Sequence, residues 1–164
     1  MTSLRALALA AMATAVWASP GRADQCEAVA ANVGAQVPEI KVAGHATVDQ
    51  TVVVTLKNPD IDELTLTCEN GDVERQPELT AKANATWPSS NFYDVLASAG
   101  AVISASTTSA IRSGSVLCAQ RAMNANDNSA IYDVNGIHFE CVTTTGTGGS
   151  TRIRISKLKE APPQ

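Results

Sequence analysis

The sequence predicts an α+β fold, in which one mostly antiparallel sheet of about five strands is covered on one face by helices. Two regions of strand-like alternation flank a long helical region at 91–123, and this order is typical of α+β domains. All four cysteines lie on the apolar side of the pattern of their own element. Two disulfides are therefore expected to join helices to the sheet.

The first predicted element is a short helix over 24–33. Cys26, Val29 and Val33 share one stripe at helical spacing. Asp24 is placed to cap the first turn, and Gly34 is placed to end the helix.

Three or four strands are predicted between Pro38 and Trp87. The run 51–56 is rich in Val and Thr and is followed by the turn residues of 58–60, which is typical of a strand and its turn. Leu64, Leu66 and Cys68 alternate with polar residues, so Cys68 should point inward. The clearest alternation, over 79–87, predicts the last strand of this group.

The region from Asn91 to Met123 has helical spacing, and the sequence leaves open whether it forms one helix or two. Asn91 and Asp94 are placed as a capping pair at its start. Between 97 and 110 nearly all residues are small, so a break near 100–108 is one of the two possibilities. Cys118 continues the inward stripe.

Two further strands are predicted at 137–141 and 152–155, joined by a hairpin connection at 147–150. Phe139 and Cys141 alternate with His138 and Glu140, so the two polar residues share the opposite face of that strand. The tail at 161–164 is expected to be disordered.

The cysteine count and spacing favour two disulfides over a zinc site. The four residues contain no C-x-x-C pair, which is the spacing that structural zinc sites commonly use. Three pairings are possible. Since neighbouring elements usually pack together, we favour the pairs Cys26–Cys68 and Cys118–Cys141.

The segment from Met1 to Ala23 reads as a secretory signal peptide. Arg5 precedes an apolar run at 6–17, and small residues follow, as in a cleavable signal. The run is shorter than the roughly 20 apolar residues of a membrane span. We expect cleavage before Asp24, with an earlier cut before Ser19 as the alternative, and export to the periplasm or the extracellular space as one domain over 24–160.

Charge argues against two classes of partner. Loss of Arg5 and Arg22 with the signal leaves 10 basic against 16 acidic residues, a net charge of −6. Nucleic acids and anionic membrane surfaces bind proteins that carry excess positive charge. We therefore expect neither as a partner, and no stable membrane insertion once the signal is removed.

No catalytic, metal or cofactor constellation is recognisable in the sequence. A Ser-His-Asp interpretation lacks the G-x-S-x-G motif, and the polar run 126–128 lacks the spacing of a calcium loop. The leading hypothesis is consequently a non-enzymatic binding or accessory domain, whose partner is an unknown protein or envelope component.

The expected interaction surface is the exposed face of the 137–158 hairpin, which carries His138, Glu140, Arg152 and Arg154. Two alternatives remain at this point. A small hydrolase would use a non-standard site near His138 and Glu140, because these side chains share a face. An inhibitor of a secreted enzyme would insert the loop at 124–129 or the loop at 146–150 into its target.

Overall fold

The computed structural model describes residues 22–69 and 76–158. The predicted signal peptide up to residue 21, the predicted turn at Asn70-Gly71 and the tail at 161–164 lie outside the described residues. The predictions made for these segments, including the cleavage site, stay predictions.

The described chain contains three helices and seven strands. The helices are α1 (Arg22–Gln36), α2 (Ser90–Ser104) and α3 (Thr108–Asn124). The strands are β1 (Lys41–Val48), β2 (Thr51–Asn58), β3 (Ile61–Glu69), β4 (Glu78–Ala83), β5 (Ser129–Val134), β6 (Ile137–Thr144) and β7 (Ser150–Lys157).

All seven strands form one sheet in the order β1-β2-β3-β4-β7-β6-β5, and every neighbouring pair is antiparallel. The chain builds β1 to β4 as a meander. It then crosses one face of the sheet through α2 and α3, begins again at the far edge with β5, and returns to place β7 beside β4. The predicted α+β class is confirmed.

The prediction of about five strands is wrong, because β5 was missed and the sequence left open whether three or four strands lie between Pro38 and Trp87, where the structure has β1 to β4. All eight residues of β1 are exposed, so no burial constraint imposes alternation on its sequence. The strand β5 is only six residues long. It is followed by Asn135 and Gly136, both with positive φ, which is the backbone that a two-residue hairpin turn requires.

The long helical region is two helices, broken at Ala105. This residue has φ 53°, in the left-handed region, and the Thr107 hydroxyl caps α3 by accepting from the N–H of Ala110. The cap of α2 is Ser89, whose hydroxyl accepts from the N–H of Phe92. The predicted capping role of Asn91 and Asp94 is therefore wrong.

Two predicted boundaries also differ from the structure. The first helix begins before Asp24 and passes through Gly34 to Gln36, because no clash or turn stops it there and the N–H of Val37 still bonds to the carbonyl of Val33. The strand predicted over 79–87 ends at Ala83. Its alternation continues by coincidence into a loop, where Thr86 bonds to the carbonyl of Thr144.

The core lies between the sheet and the helices. Alternate strand residues point into it and are fully buried, as Leu66, Leu79 and Ile155 show. The backbone of α3 approaches the sheet most closely at Gly114, where an added Cβ would have three ring carbons of Phe139 within 3.0 Å. The small residues of this helix therefore set the separation between the two layers.

Both favoured disulfides are present. Cys26 of α1 is bonded to Cys68 of β3, and Cys118 of α3 is bonded to Cys141 of β6. Their Cα separations of 5.9 and 5.8 Å lie in the usual range for disulfides. Each bridge joins a helix to the sheet, as predicted from the position of each cysteine on the apolar side of its element.

Candidate interaction surface

The helices α1, α2 and α3 pack against one face of the sheet, and the strand side chains that point away from them form its open face. One row of this face can be followed across six neighbouring strands through the register of the sheet. In order from β2 to β5 the row consists of Thr55, Thr65, Thr80, Arg154, Glu140 and Ile131. Polar and β-branched residues therefore dominate the open face.

Most charges near the centre of the open face are paired across strands. Arg154 lies 3.2 Å from Glu140 and 3.5 Å from Glu78, and Lys82 lies 2.6 Å from Glu63. Exposed pairs of this kind contribute about 0–1 kcal/mol each. Their main effect is to neutralise the middle of the sheet, so this region has little net charge to offer a ligand.

The hairpin side of the open face differs from the middle. Ile131 is 66% exposed and Val142 is 36% exposed. Ile131 pairs with Glu140, two residues from Val142, and such diagonal neighbours are within about 7–8 Å of each other. Arg152 lies directly opposite Val142 and makes no ion pair with residues 22–69 or 76–158.

The structure thus places all four predicted surface residues on the same face of adjacent strands. Together with the two exposed apolar residues they form what we call the outer hairpin surface, which consists of Ile131, His138, Glu140, Val142, Arg152 and Arg154. Sequence reasoning missed Ile131 because it missed β5. The alternation in that strand and the Asn135-Gly136 turn after it are the signals that predict it.

His138 has a carboxylate partner, but the partner is not Glu140. Its Nδ1 lies 2.6 Å from Oδ1 of Asp133 on β5. In the tautomer that donates from Nδ1 to this carboxylate, Nε2 is the acceptor. Ser156 of β7 lies on the other side, directly opposite His138 in the register. Aspartate, histidine and serine therefore stand in line across three strands.

The two loops considered for an inhibitor lie at the same end of the sheet. The loop between α3 and β5 is closed by a bond from the N–H of Asn128 to the carbonyl of Ala125, and the loop before β7 by a bond from Gly149 to Gly146. Another loop at this end, between β4 and α2, carries Trp87, which is 47% exposed. This end is thus a second candidate for recognition.

The described residues also bear on two other kinds of site. Within them, no group of three or more His, Cys, Asp or Glu side chains is arranged to hold a metal ion. No single helix of the described chain has the length and hydropathy needed to cross a membrane. The helices α2 and α3 have the necessary length and hydropathy only when taken together, and they are bent by 119° where they meet.

Comparisons with models of protein families, with curated proteins and with solved structures find no match to this chain. The class of protein is therefore defined by the fold alone: a two-layer α+β domain with two helix-to-sheet disulfides and one open sheet face.

Proposed function

We propose that this is an exported, non-enzymatic binding domain that recognises a protein of the cell envelope through the outer hairpin surface. The observation that carries the proposal is the position of Val142, which lies directly opposite Arg152 on β7 and diagonal to Ile131 on β5. Val142 and Ile131 are exposed apolar side chains, and Arg152 has no ion-pair partner in the described chain.

The composition of this surface is consistent with recognition of a protein. Arginine is enriched in protein–protein interfaces, and apolar side chains that lose water at the centre of an interface supply much of the binding energy. The remainder of the open face carries threonines and the ion pair between Lys82 and Glu63. A partner would therefore gain little by binding there.

Export is part of the proposal and is supported by the disulfides. Bridges of this kind form and persist in oxidising compartments such as the periplasm and the extracellular space. Both bridges are largely buried beneath the helices, since Cys26, Cys118 and Cys141 are at most 1% exposed.

The experiment is capture of partners from an envelope extract with the immobilised, disulfide-bonded protein and with matched variants. Arg152→Glu and Ile131→Ser should each reduce recovery of the partner about tenfold or more, as truncation of central interface residues often does. Lys57→Glu is the matched charge control, because Lys57 is exposed on β2 and makes no ion pair within the described residues.

A second variant separates the two recognition surfaces. If Trp87→Ser abolishes capture while Arg152→Glu and Ile131→Ser leave it intact, the partner binds the loop end of the sheet and the proposed surface is wrong. Equal capture by all variants would also contradict the proposal.

One specific observation favours a second candidate function, a small hydrolase. In the line Asp133–His138–Ser156, the carboxylate would hold the imidazole through Nδ1 and Nε2 would accept the proton of the attacking serine. This differs from the site expected near Glu140, because Glu140 binds Arg154 instead. The side chains of Asp133 and His138 are partly exposed, whereas serine hydrolases bury this carboxylate.

An activity-based probe tests the hydrolase directly. A fluorophosphonate would react with Ser156 by forming an O–P bond and releasing fluoride, and His138→Asn should suppress that labelling. Ser150→Ala is the control, since Ser150 is a half-buried serine on the same strand. Absence of labelling at Ser156 would remove this candidate.

A further inference from the structure

The edge strand β1 is the most open part of the sheet. In the described chain it pairs only with β2, and alternate residues of an edge strand direct their backbone N–H and C=O groups away from the sheet. All its residues are exposed, with Val42 at 50% and Val48 at 61%. Proteins usually protect such edges with charges, prolines or bulges. Here the protection between Val42 and Val48 is limited to a bulge and to His45, whose Nδ1 lies 3.2 Å from Oε1 of Glu27 on α1.

The sequence of this edge is nearly symmetric about His45. Gly44 and Ala46 are one residue away on either side, and Val42 and Val48 are three residues away. The residues four positions away, Lys41 and Asp49, carry opposite charges. No ion pair joins either of them to another described residue.

We propose that two copies of the chain associate through β1, paired antiparallel about a two-fold axis at His45. An antiparallel pair with such an axis places Gly44 of one copy opposite Ala46 of the other, so small residues meet small residues. Because the bulge at Ala43 draws the start of β1 one position towards His45, Val42 faces Thr47 and Lys41 faces Val48 of the second copy. Lys41 of each copy is then one position away from Asp49 of the other. This charge complementarity is why we assign the edge to a second copy rather than to an unrelated peptide.

The two-fold arrangement also limits the assembly to two chains. Pairing of β1 with the opposite edge β5 would leave free edges and extend without limit. The edge at β5 is less open, because four of its six residues are partly buried, whereas all eight residues of β1 are exposed. The bulge at Ala43 offsets Lys41 by one position, a distance that a flexible lysine side chain spans.

The test is sedimentation velocity on the purified, disulfide-bonded protein from about 1 µM to about 1 mM, a range that spans typical weak and moderate dimer affinities. Wild-type protein should form a dimer. Lys41→Glu and Asp49→Lys should each weaken it about tenfold, because both symmetric pairs become repulsive. An equimolar mixture of the two variants should recover the dimer, since each then supplies the charge the other lacks.

Two further variants make the result decisive. Lys157→Glu, a matched reversal at the exposed end of β7, should leave the dimer unchanged. Asp49→Asn keeps a residue type that tolerates the positive φ of this turn position and should weaken the dimer two- to five-fold by removing two exposed charge pairs. A wild-type monomer at the highest concentration would overturn the proposal. So would a dimer that tolerates Lys41→Glu, or a mixture that does not recover.

Discussion

Tyr93 is a buried ionisable side chain of the helical layer, and its pKa differs clearly from that of an exposed tyrosine. It is buried on α2, its hydroxyl has no hydrogen-bond partner among the described residues, and its ring packs edge-on against Phe92. Burial raises the pKa of Tyr93 to about 12, and the positive charge of Arg112 partly opposes that rise. The folded protein therefore keeps this phenol neutral at a pH where the unfolded chain ionises it.

This environment predicts the response of stability to alkaline pH. The contribution of Tyr93 is fully present below pH 10, its ordinary pKa, and is lost as the pH rises towards 12. At pH 12 the loss should reach roughly 2 kcal/mol in the free energy of unfolding. Urea unfolding of wild type and Tyr93→Phe from pH 8 to pH 12 measures this loss. It is the difference between the two proteins in how far the free energy of unfolding falls over that pH range.

The same substitution has a predicted effect at neutral pH. Removing a buried hydroxyl that has no partner should leave the free energy of unfolding unchanged or raise it by up to about 1 kcal/mol. A loss of more than 1 kcal/mol in Tyr93→Phe would show that the hydroxyl does have a partner in the folded protein.

At the scale of elements, the contact of α3 with β6 determines how the helical layer sits on the sheet. Gly114 permits this contact although glycine disfavours helix by about 1 kcal/mol relative to alanine. Cys118 lies one helical turn after Gly114, and its disulfide with Cys141 bonds the two elements covalently at this interface. Helical spacing alone identifies the inward stripe of α3, but it does not reveal that Phe139 fills the space above Gly114.

Gly114→Ala should therefore destabilise the protein by about 1–3 kcal/mol, because the added methyl group overpacks the core against Phe139. The expected sign is opposite to that of helix propensity. Ser113→Ala is the matched control, since Ser113 is exposed on the same helix and should change stability by only a few tenths of a kcal/mol. Thermal unfolding of both variants measures the difference, and a stabilised Gly114→Ala would contradict the described packing.

For the whole molecule, the two disulfides have distinct expected contributions. Each should contribute about 2–4 kcal/mol by restricting the unfolded chain. The Cys26–Cys68 bridge spans 42 residues of sequence and the Cys118–Cys141 bridge spans 23. Loop entropy consequently favours the first by about 0.5 kcal/mol.

Paired substitutions to alanine, Cys26→Ala with Cys68→Ala and Cys118→Ala with Cys141→Ala, test these contributions by urea unfolding. Both double variants should lose stability by about 2–4 kcal/mol. If either double variant unfolded with nearly the same free energy as the wild type, its disulfide would not stabilise the folded protein.

How much of this architecture the sequence reveals depends on burial. Strands with one buried face, such as β3 and β6, show alternation of apolar and polar residues. Sequence reasoning therefore predicted these strands and also which of their residues point inward, including Cys68 and Cys141. The exposed edge β1 shows none, because nothing constrains its faces. The interaction surface was predicted only in part, since Ile131 joins it from β5, a short strand whose pairing depends on the whole sheet.

The most direct test of this account is a disulfide map of the exported protein, because both the layered fold and the oxidising location depend on the two bridges. In the protein cleaved before Asp24, trypsin places each cysteine in a separate peptide, at 24–41, 58–75, 113–121 and 122–152. Mass spectrometry without reduction should find 24–41 linked to 58–75, and 113–121 linked to 122–152. Four free thiols, or any other pairing, would contradict the account.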